Sequence, residues 1–319
     1  MHTLESGSPQ RLFGVLNPMG GSCDPDQVRA VLEAHCARSG QSCEIYQTTG
    51  AEDEDVPARV REAVAAGAEL VIAIGGDGTV SQVSEGVAGS SVPVAVIPTG
   101  TANIFAREMG IPLELEAACA LLTGFRVRAV DGMVCDEHLY LLHLGVGLSS
   151  LMIRDTNQTA KRRFGRLAYV WTALRTLSGL QPHRFEIVVD GLRHRMHAKQ
   201  VFIANGGIWG IEAVRLGDHV APDDGVIDLC ILNSRTMFDF AGIGWDFFTG
   251  QHHRNRRIRY LTARTSIELD CRPRLPVQGD GEIIRHTPIR LTIKPGAVQV
   301  AVPSAGEGKV KRPAQAHRA

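Results

Sequence analysis

Acidic residues set among glycines mark the places where this chain could do chemistry. Gly75-Gly76-Asp77-Gly78-Thr79 follows the apolar run Leu70-Val71-Ile72-Ala73-Ile74, and a new amphipathic pattern begins at Thr79. A buried strand, a glycine turn and a helix start bring backbone N–H groups close to phosphate at the positive end of a helix dipole. Asp77 would repel phosphate unless a cation lay between them, so the turn points to a nucleotide bound with Mg²⁺. Neither G-x-G-x-x-G nor G-x-x-x-x-G-K-[ST] occurs in the chain, and a single glycine turn can be a tight turn and nothing more. A second stretch strengthens the case. Val92–Ile97 reads as another short strand, and Pro98-Thr99-Gly100-Thr101-Ala102-Asn103 follows it about 25 residues after the first turn. Two such ends fit adjacent C-terminal strand ends of a parallel sheet, where ligands usually bind. Asp280-Gly281-Glu282 supplies two further acids. They could take a proton from a reacting group, or simply form a solvated hairpin tip.

The elements that must hold these residues follow from periodicity. Up to about residue 110 the pattern alternates strand and helix four times, with strands at 12–16, 43–47, 70–74 and 92–97. That order predicts an α/β N-terminal domain built on an open parallel sheet with helices on both faces. After Val127 short β-rich runs dominate, punctuated by Asp190-Gly191, Asp224-Gly225 and Pro295-Gly296, with helices expected at 163–178 and 236–248. The expectation there is a mostly antiparallel β-sandwich. The boundaries read as 1–130 for the α/β domain, 131–303 for the β-rich domain and 304–319 for a disordered tail.

Composition narrows the function classes. The 319 residues, 44% of them hydrophobic, suffice for two folded domains, and zero formal charge gives no global field for nucleic acid. Seven cysteines include no C-x-x-C pair, as expected of reduced thiols. No segment is long and apolar enough to span a bilayer, and the first residues lack a secretion-signal pattern. Together these point to a soluble, cytoplasmic protein; the methionines and tryptophans read as core filling.

With these motifs assembled, the chain resembles the diacylglycerol kinase catalytic-domain family, in its soluble bacterial lipid-kinase branch, related to sphingosine and ceramide kinases. The resemblance covers roughly residues 11–302. It rests on Asn17-Pro18, the turn at 75–79, Pro98–Asn103, Ala204-Asn205-Gly206-Gly207, Ala221–Asp228 and Gln278–Glu282, in that order. It implies that Thr48, Gly75, Gly76, Asp77, Gly78, Thr79, Val80, Ser81 and Thr101 contact ATP. It implies a metal loop in which Ala221, Asp224 and Val226 offer one carboxylate and two backbone carbonyls to Mg²⁺. It also implies that Glu282 accepts the proton of the lipid hydroxyl and that Asp77 shares in catalysis. The γ-phosphoryl group of ATP would then pass to a lipid such as diacylglycerol at an interdomain cleft. The sequence departs from the family where an acid is common: Gln82, Ile104 and Ser149 stand at those positions.

Two basic runs, Lys161–Arg166 and His252–Arg259, suit peripheral contact with anionic lipid at the inner membrane face, or serve as ordinary solvated surface. Two other functions stay open: a kinase of a soluble small molecule, as in NAD kinases, and a lipid-binding module without catalysis.

Overall fold

The computed structural model describes residues 10–304, apart from 20, 22, 52, 156–180, 210, 217–219, 235–236 and 281. The expected helix at 163–178, the basic run 161–166 and the tail beyond Ser304 lie outside the described residues. The chain forms two compact units. One comprises the residues up to Val130, the short stretch 210–212 and those from Ala297 onward; the other comprises Asp131–Trp209 and Ala213–Gly296.

In the first unit, strands β1 (Arg11–Leu16), β2 (Ser42–Gln47), β3 (Leu70–Gly75) and β4 (Val94–Pro98) lie parallel in the order β2-β1-β3-β4. β3 and β4 are buried along their whole length, which is why they read as unbroken apolar runs rather than alternating ones. Helices α1 (Pro25–Ser39), α2 (Val56–Ala65), α3 (Asp77–Val87), α4 (Ile104–Met109) and α5 (Leu115–Ala120) connect and cover them. Their ends follow capping rules. Asp24 caps α1 by accepting the Asp26 N–H with Pro25 at the first turn, and Gly40 closes it at φ 69°. Asp55 caps α2 by accepting the Ala58 N–H at 2.8 Å. α3 begins at Asp77, two residues before the amphipathic pattern that announces it. The core joins Leu12, Leu16, Leu32, Leu70, Ile72 and Ile97 with Leu122 of the following 3₁₀ turn.

The second unit is β-rich. Its strands follow β5 (Phe125–Cys135), which enters it, as β6 (His138–Tyr140), β7 (His143–Gly147), β8 (His183–Val189), β9 (Leu192–Ala198) and β10 (Gln200–Ala204). The short β11 (Ile208–Trp209) and β12 (Ile211–Arg215) come next, the first two residues of β12 counting with the first unit. β13 (Ile227–Leu232), β14 (Ile258–Ala263), β15 (Ser266–Arg272), β16 (Pro276–Gly279), β17 (Glu282–His286) and β18 (Ile289–Pro303) complete the set. Helices α6 (Leu148–Asp155) and α7 (Met237–Phe248) interrupt them. One antiparallel sheet runs β14-β13-β10-β7-β16-β17, and in the other β15 pairs antiparallel with both β8 and the first half of β18. Leu144, Val146, Val201, Ile203 and Val277 of the first sheet share a core with Phe185, Ile187, Ile267, Leu269 and Leu291 of the other, which makes this unit a sandwich. Beyond Gly296, β18 returns to the first unit, where Val300 pairs parallel with Val94 of β4.

Five cysteines are buried and all seven are free thiols. The core-filling expectation fails at Trp245 and Met19, which are 66% and 85% exposed. No helix among the described residues is long and apolar enough to cross a membrane.

Candidate functional site

In the first unit, four strands end side by side. Thr48 after β2, Asn17 after β1, Gly76 after β3 and Thr99 after β4 are stitched by backbone bonds. Thr48 N–H donates to Leu16 O (2.9 Å), Asn17 N–H to Ile74 O (3.0 Å) and Thr99 N–H to Gly75 O (3.1 Å). The glycines are fixed by proximity. A Cβ on Gly100 would lie 2.5 Å from the Gly76 Cα, and one on Gly75 would lie 2.3 Å from the Thr79 Oγ1. Gly78 differs, because a Cβ there meets nothing within 4 Å. Its side is open to a ligand.

Asp77 has two structural partners. Its Oδ1 accepts the Phe105 N–H at 2.8 Å and its Oδ2 accepts the Ile104 N–H at 3.1 Å. The carboxylate of the first turn therefore caps α4, the helix that starts after the second turn. Asn103 sits between them at φ 49°, with its Nδ2 donating to Gly100 O at 2.8 Å. Its Oδ1 and the Thr99 Oγ1 are buried without a hydrogen-bond partner. Such groups are costly to leave unmade, so a polar ligand at these strand ends would be welcome.

The expected ATP-contact residues divide between surface and packing. Gly78 and Thr101 are exposed, and Gly76, Asp77 and Ser81 are half-buried. Thr79 is buried, its Oγ1 accepting the Asn17 Nδ2–H at 3.2 Å, and the Val80 side chain belongs to the core. Thr48 is buried at the head of a loop shaped by Glu54. The Glu54 carboxylate accepts the N–H groups of Thr49 (3.0 Å) and Gly50 (2.8 Å) and the Tyr46 hydroxyl (2.6 Å). Loss of hydration pushes its carboxyl up, but these bonds outweigh that effect and hold it below its ordinary value. Nothing in the spacing pointed to Glu54, because its role depends on the fold of a loop.

In the second unit the expected metal loop is held by Asp131. This buried carboxylate accepts the Gly225 N–H at 2.6 Å and the Gly296 N–H at 2.7 Å, while the Asp131 N–H donates to Pro222 O at 2.7 Å. The buried Asn205 donates its Nδ2 to Asp131 O and Leu141 O, at 2.7 and 2.9 Å. Asp131 lies within β5, where periodicity gives it a place but no partner. The available signal was an acid inside the apolar run Val130–Val134.

Asp224 is exposed, and its Oδ1 accepts the Val226 N–H at 3.0 Å. Partial loss of hydration and the charges of Asp228, Asp131 and Asp223 push its carboxyl up to about 6, against the pull of that bond. Among the described residues, no group of three or more His, Cys, Asp or Glu side chains could hold a metal. The expected donors Ala221, Asp224 and Val226 amount to one carboxylate with backbone carbonyls, beside the second acid Asp223. An acid strained by like charges fits a hard cation, which would relieve it.

Glu282 opens β17 and pairs with Gly279 at the end of β16. The acids of this segment are not both free in solvent. Asp280 Oδ1 accepts the His143 N–H at 3.1 Å, and the Asp280 N–H donates to His143 O at 3.1 Å. Glu282 is exposed. Tyr140 fixes Gly279, where a Cβ would lie 2.6 Å from the ring.

The departures also have structural settings. Ile104 contributes its backbone N–H to Asp77, which any residue but proline could do. Ser149 is tied to Gln200, donating its N–H to Oε1 (2.7 Å) and accepting from Nε2 (3.0 Å). The basic run 252–259 is only partly solvated. His252 is buried with Nδ1 2.7 Å from the Tyr260 hydroxyl, and Arg257 pairs with Asp239 at 2.9 Å.

Comparison with known proteins agrees with this architecture. Residues 11–135 match the diacylglycerol kinase catalytic domain, and residues 143–302 match the YegS C-terminal NAD kinase beta sandwich-like domain. The chain is 30% identical over 302 residues to a "Probable lipid kinase YegS-like" protein of Pseudomonas aeruginosa, covering 92% of this chain and 95% of that one. It is 28% identical over 271 residues to a diacylglycerol kinase of Bacillus subtilis, covering 81% and 88%. A crystal structure of a diacylglycerol kinase from Bacillus anthracis superposes with a TM-score of 0.74 at 24% identity, over 94% of this chain and 99% of that chain. That likeness concerns the fold. The matches to both domain models and to relatives along nearly the whole length place the chain in the diacylglycerol kinase catalytic-domain family, among its YegS-like kinases.

Proposed function

We propose that the protein is an ATP-dependent lipid kinase that moves the γ-phosphoryl group to the hydroxyl of a lipid such as diacylglycerol. The observation that carries this reading is the row of strand ends in the first unit. There Gly76 and Gly100 touch, Gly78 is open, and Thr99 Oγ1 and Asn103 Oδ1 are buried without partners. The N–H groups at the start of α3 have no intrahelical acceptor and face a ligand with the positive end of the helix dipole. Nucleotide phosphates match both features.

The role of Asp77 changes with its geometry. Its carboxylate locks the two glycine turns together, so it contributes to phosphate binding by holding the cradle in shape. In the second unit, Ala221, Asp224 and Val226 would hold Mg²⁺, whose chemistry is to neutralise charge on the transferring group. Asp131 keeps that loop in place. Glu282 is exposed on a hairpin anchored by Asp280 and His143, and it would accept the proton of the attacking hydroxyl. Contact with the membrane would use exposed members of the run 252–259, such as Arg254 and Arg256.

The test is transfer of labelled phosphate from ATP, with Mg²⁺, to a panel of diacylglycerol, ceramide, sphingosine and soluble NAD. Label on a lipid hydroxyl supports the reading. Label on NAD alone favours a soluble-substrate kinase. Lipid binding without transfer favours a non-catalytic module.

A further inference from the structure

The second unit carries a broad depression of roughly 780 Å³ on the outer face of β8 and β15, rimmed by β17 and β18. None of the residues assigned above to nucleotide, cation or proton transfer lines it. Its charges are arranged in rows across the sheet. Arg184 of β8 stands directly opposite Arg272 of β15, and two residues further along Glu186 stands opposite Asp270. Both arginines line the depression. On the other side of Arg184, His197 of β9 extends the basic row.

Like charges directly opposite each other on one sheet face are destabilising, so such a pair ordinarily recruits a counter-ion. The local acids are committed elsewhere. Glu186 is held by Arg193 (2.6 Å) and Arg195 (3.2 Å), Glu268 by Arg290 (3.5 Å), and Asp136 by Arg285. Asp270 Oδ1 accepts the Cys271 N–H at 2.8 Å. Arg184 and Arg272 form no ion pair among the described residues. Two guanidinium forks about one cross-strand spacing apart can each give paired hydrogen bonds to one tetrahedral oxyanion.

We infer that Arg184 and Arg272 form a binding site for a single phosphate group, separate from the nucleotide cradle. Asp270 beside it, whose charge no guanidinium among these pairs offsets, disfavours an extended polyanion and restricts the ligand to one phosphate or phosphomonoester. That chemistry is shared by free inorganic phosphate and by a lipid headgroup ending in a phosphomonoester.

The experiment titrates the full chain with inorganic phosphate, followed by phosphorus NMR line broadening and calorimetry. It is repeated in Gly76→Val to silence the nucleotide cradle. Saturable binding at millimolar phosphate that survives Gly76→Val is expected, and Arg184→Ala or Arg272→Ala should each weaken it about tenfold. Lys294→Ala, on the same sheet face but outside the depression, should leave it unchanged. A parallel arm sediments phosphatidylcholine vesicles with and without phosphatidic acid. Loss of the phosphatidic acid-dependent binding in Arg184→Ala and Arg272→Ala identifies the headgroup as the source. An effect on soluble phosphate alone identifies the free ion. Both arginines are on the surface, and unchanged melting temperatures show that the variants fold. No saturable binding, or binding indifferent to both substitutions, overturns the inference.

Discussion

The carboxylate of Asp77 accepts the backbone N–H of Phe105 at 2.8 Å, and its other oxygen takes that of Ile104. One acid thereby joins the turn after β3 to the helix that follows β4. Losing such a cap costs roughly 0.5–2 kcal/mol. Asp77→Ala should lower the melting temperature even without nucleotide, and ATP affinity should fall with it. If Asp77 acted only through a cation, stability without ligand would not change, so thermal unfolding of the apo variant decides.

Gly100→Ala places a Cβ 2.5 Å from the Gly76 Cα, where backbone meets backbone, so the turns must separate. The expected outcome is a loss of ATP affinity of tenfold or more together with lower stability. Gly78→Ala meets no protein atom within 4 Å and lies in a helix, so it should leave stability equal or raise it by up to about 1 kcal/mol. Any loss of ATP affinity in Gly78→Ala then reports a ligand lying against that turn. Calorimetric ATP titration beside thermal melts separates the two effects.

Removing the charge of Asp131 loosens the loop that carries Asp224. Each hydrogen bond to a charged group contributes about 1.5–3 kcal/mol, so Asp131→Asn should destabilise the second unit measurably. The Mg²⁺ concentration for half-maximal turnover should rise, while ATP affinity of the first unit changes little. An unchanged Mg²⁺ midpoint would detach this residue from the loop's function.

Asp224 gives a pH signature. Its folded pKa of about 6 lies above the ordinary carboxylate value, so the folded protein holds the proton more tightly than the unfolded chain does. Without a cation, its contribution to stability is greatest below the ordinary value and is lost as pH rises through about 6. Mg²⁺ requires the deprotonated form, so its apparent affinity should increase from pH 5 to pH 7 and then level off. Asp224→Asn should flatten that dependence. Mg²⁺ titrations of the parent and the variant across this range are the check.

Glu282→Gln keeps the shape of the side chain and loses the ability to accept a proton. Turnover should fall roughly 10²–10⁴-fold, with ATP affinity near the parent value. Parental turnover in this variant would remove Glu282 from the chemistry.

Much of the first unit was legible because β1, β3 and β4 are buried on both faces along nearly their whole length. Leu70–Ile74 and Val94–Ile97 carry no solvent side, so hydrophobicity alone outlines them. The glycine turns were legible for the same local reason. The occupation of Asp77 was not, since its partners Ile104 and Phe105 lie far along the chain and offer only backbone N–H groups, which every residue type but proline supplies. Asp131 was hidden similarly: its acceptance of Gly225 and Gly296 joins three distant segments. β16 and β17 were unremarked as strands because Pro276–Gly279 and Glu282–His286 are short and include proline, glycine and charge. Helix α6 starts directly after Gly147, at φ 116°, but the apolar run continues across that glycine from Leu144 to Ile153, so hydrophobicity did not separate helix from strand.

β18 ends in the unit that begins the chain, and this sets an order on folding during synthesis. Val300 completes the edge of β4, and Ala301 joins the core of Leu12, Leu70 and Ile97. Until the ribosome releases those last residues, β4 presents an unpaired apolar edge, the kind of surface that recruits other chains. The domain translated first is therefore the one finished last. A fragment cut at the domain boundary would inherit that open edge permanently, and should be expressed with the final strand fused back to it.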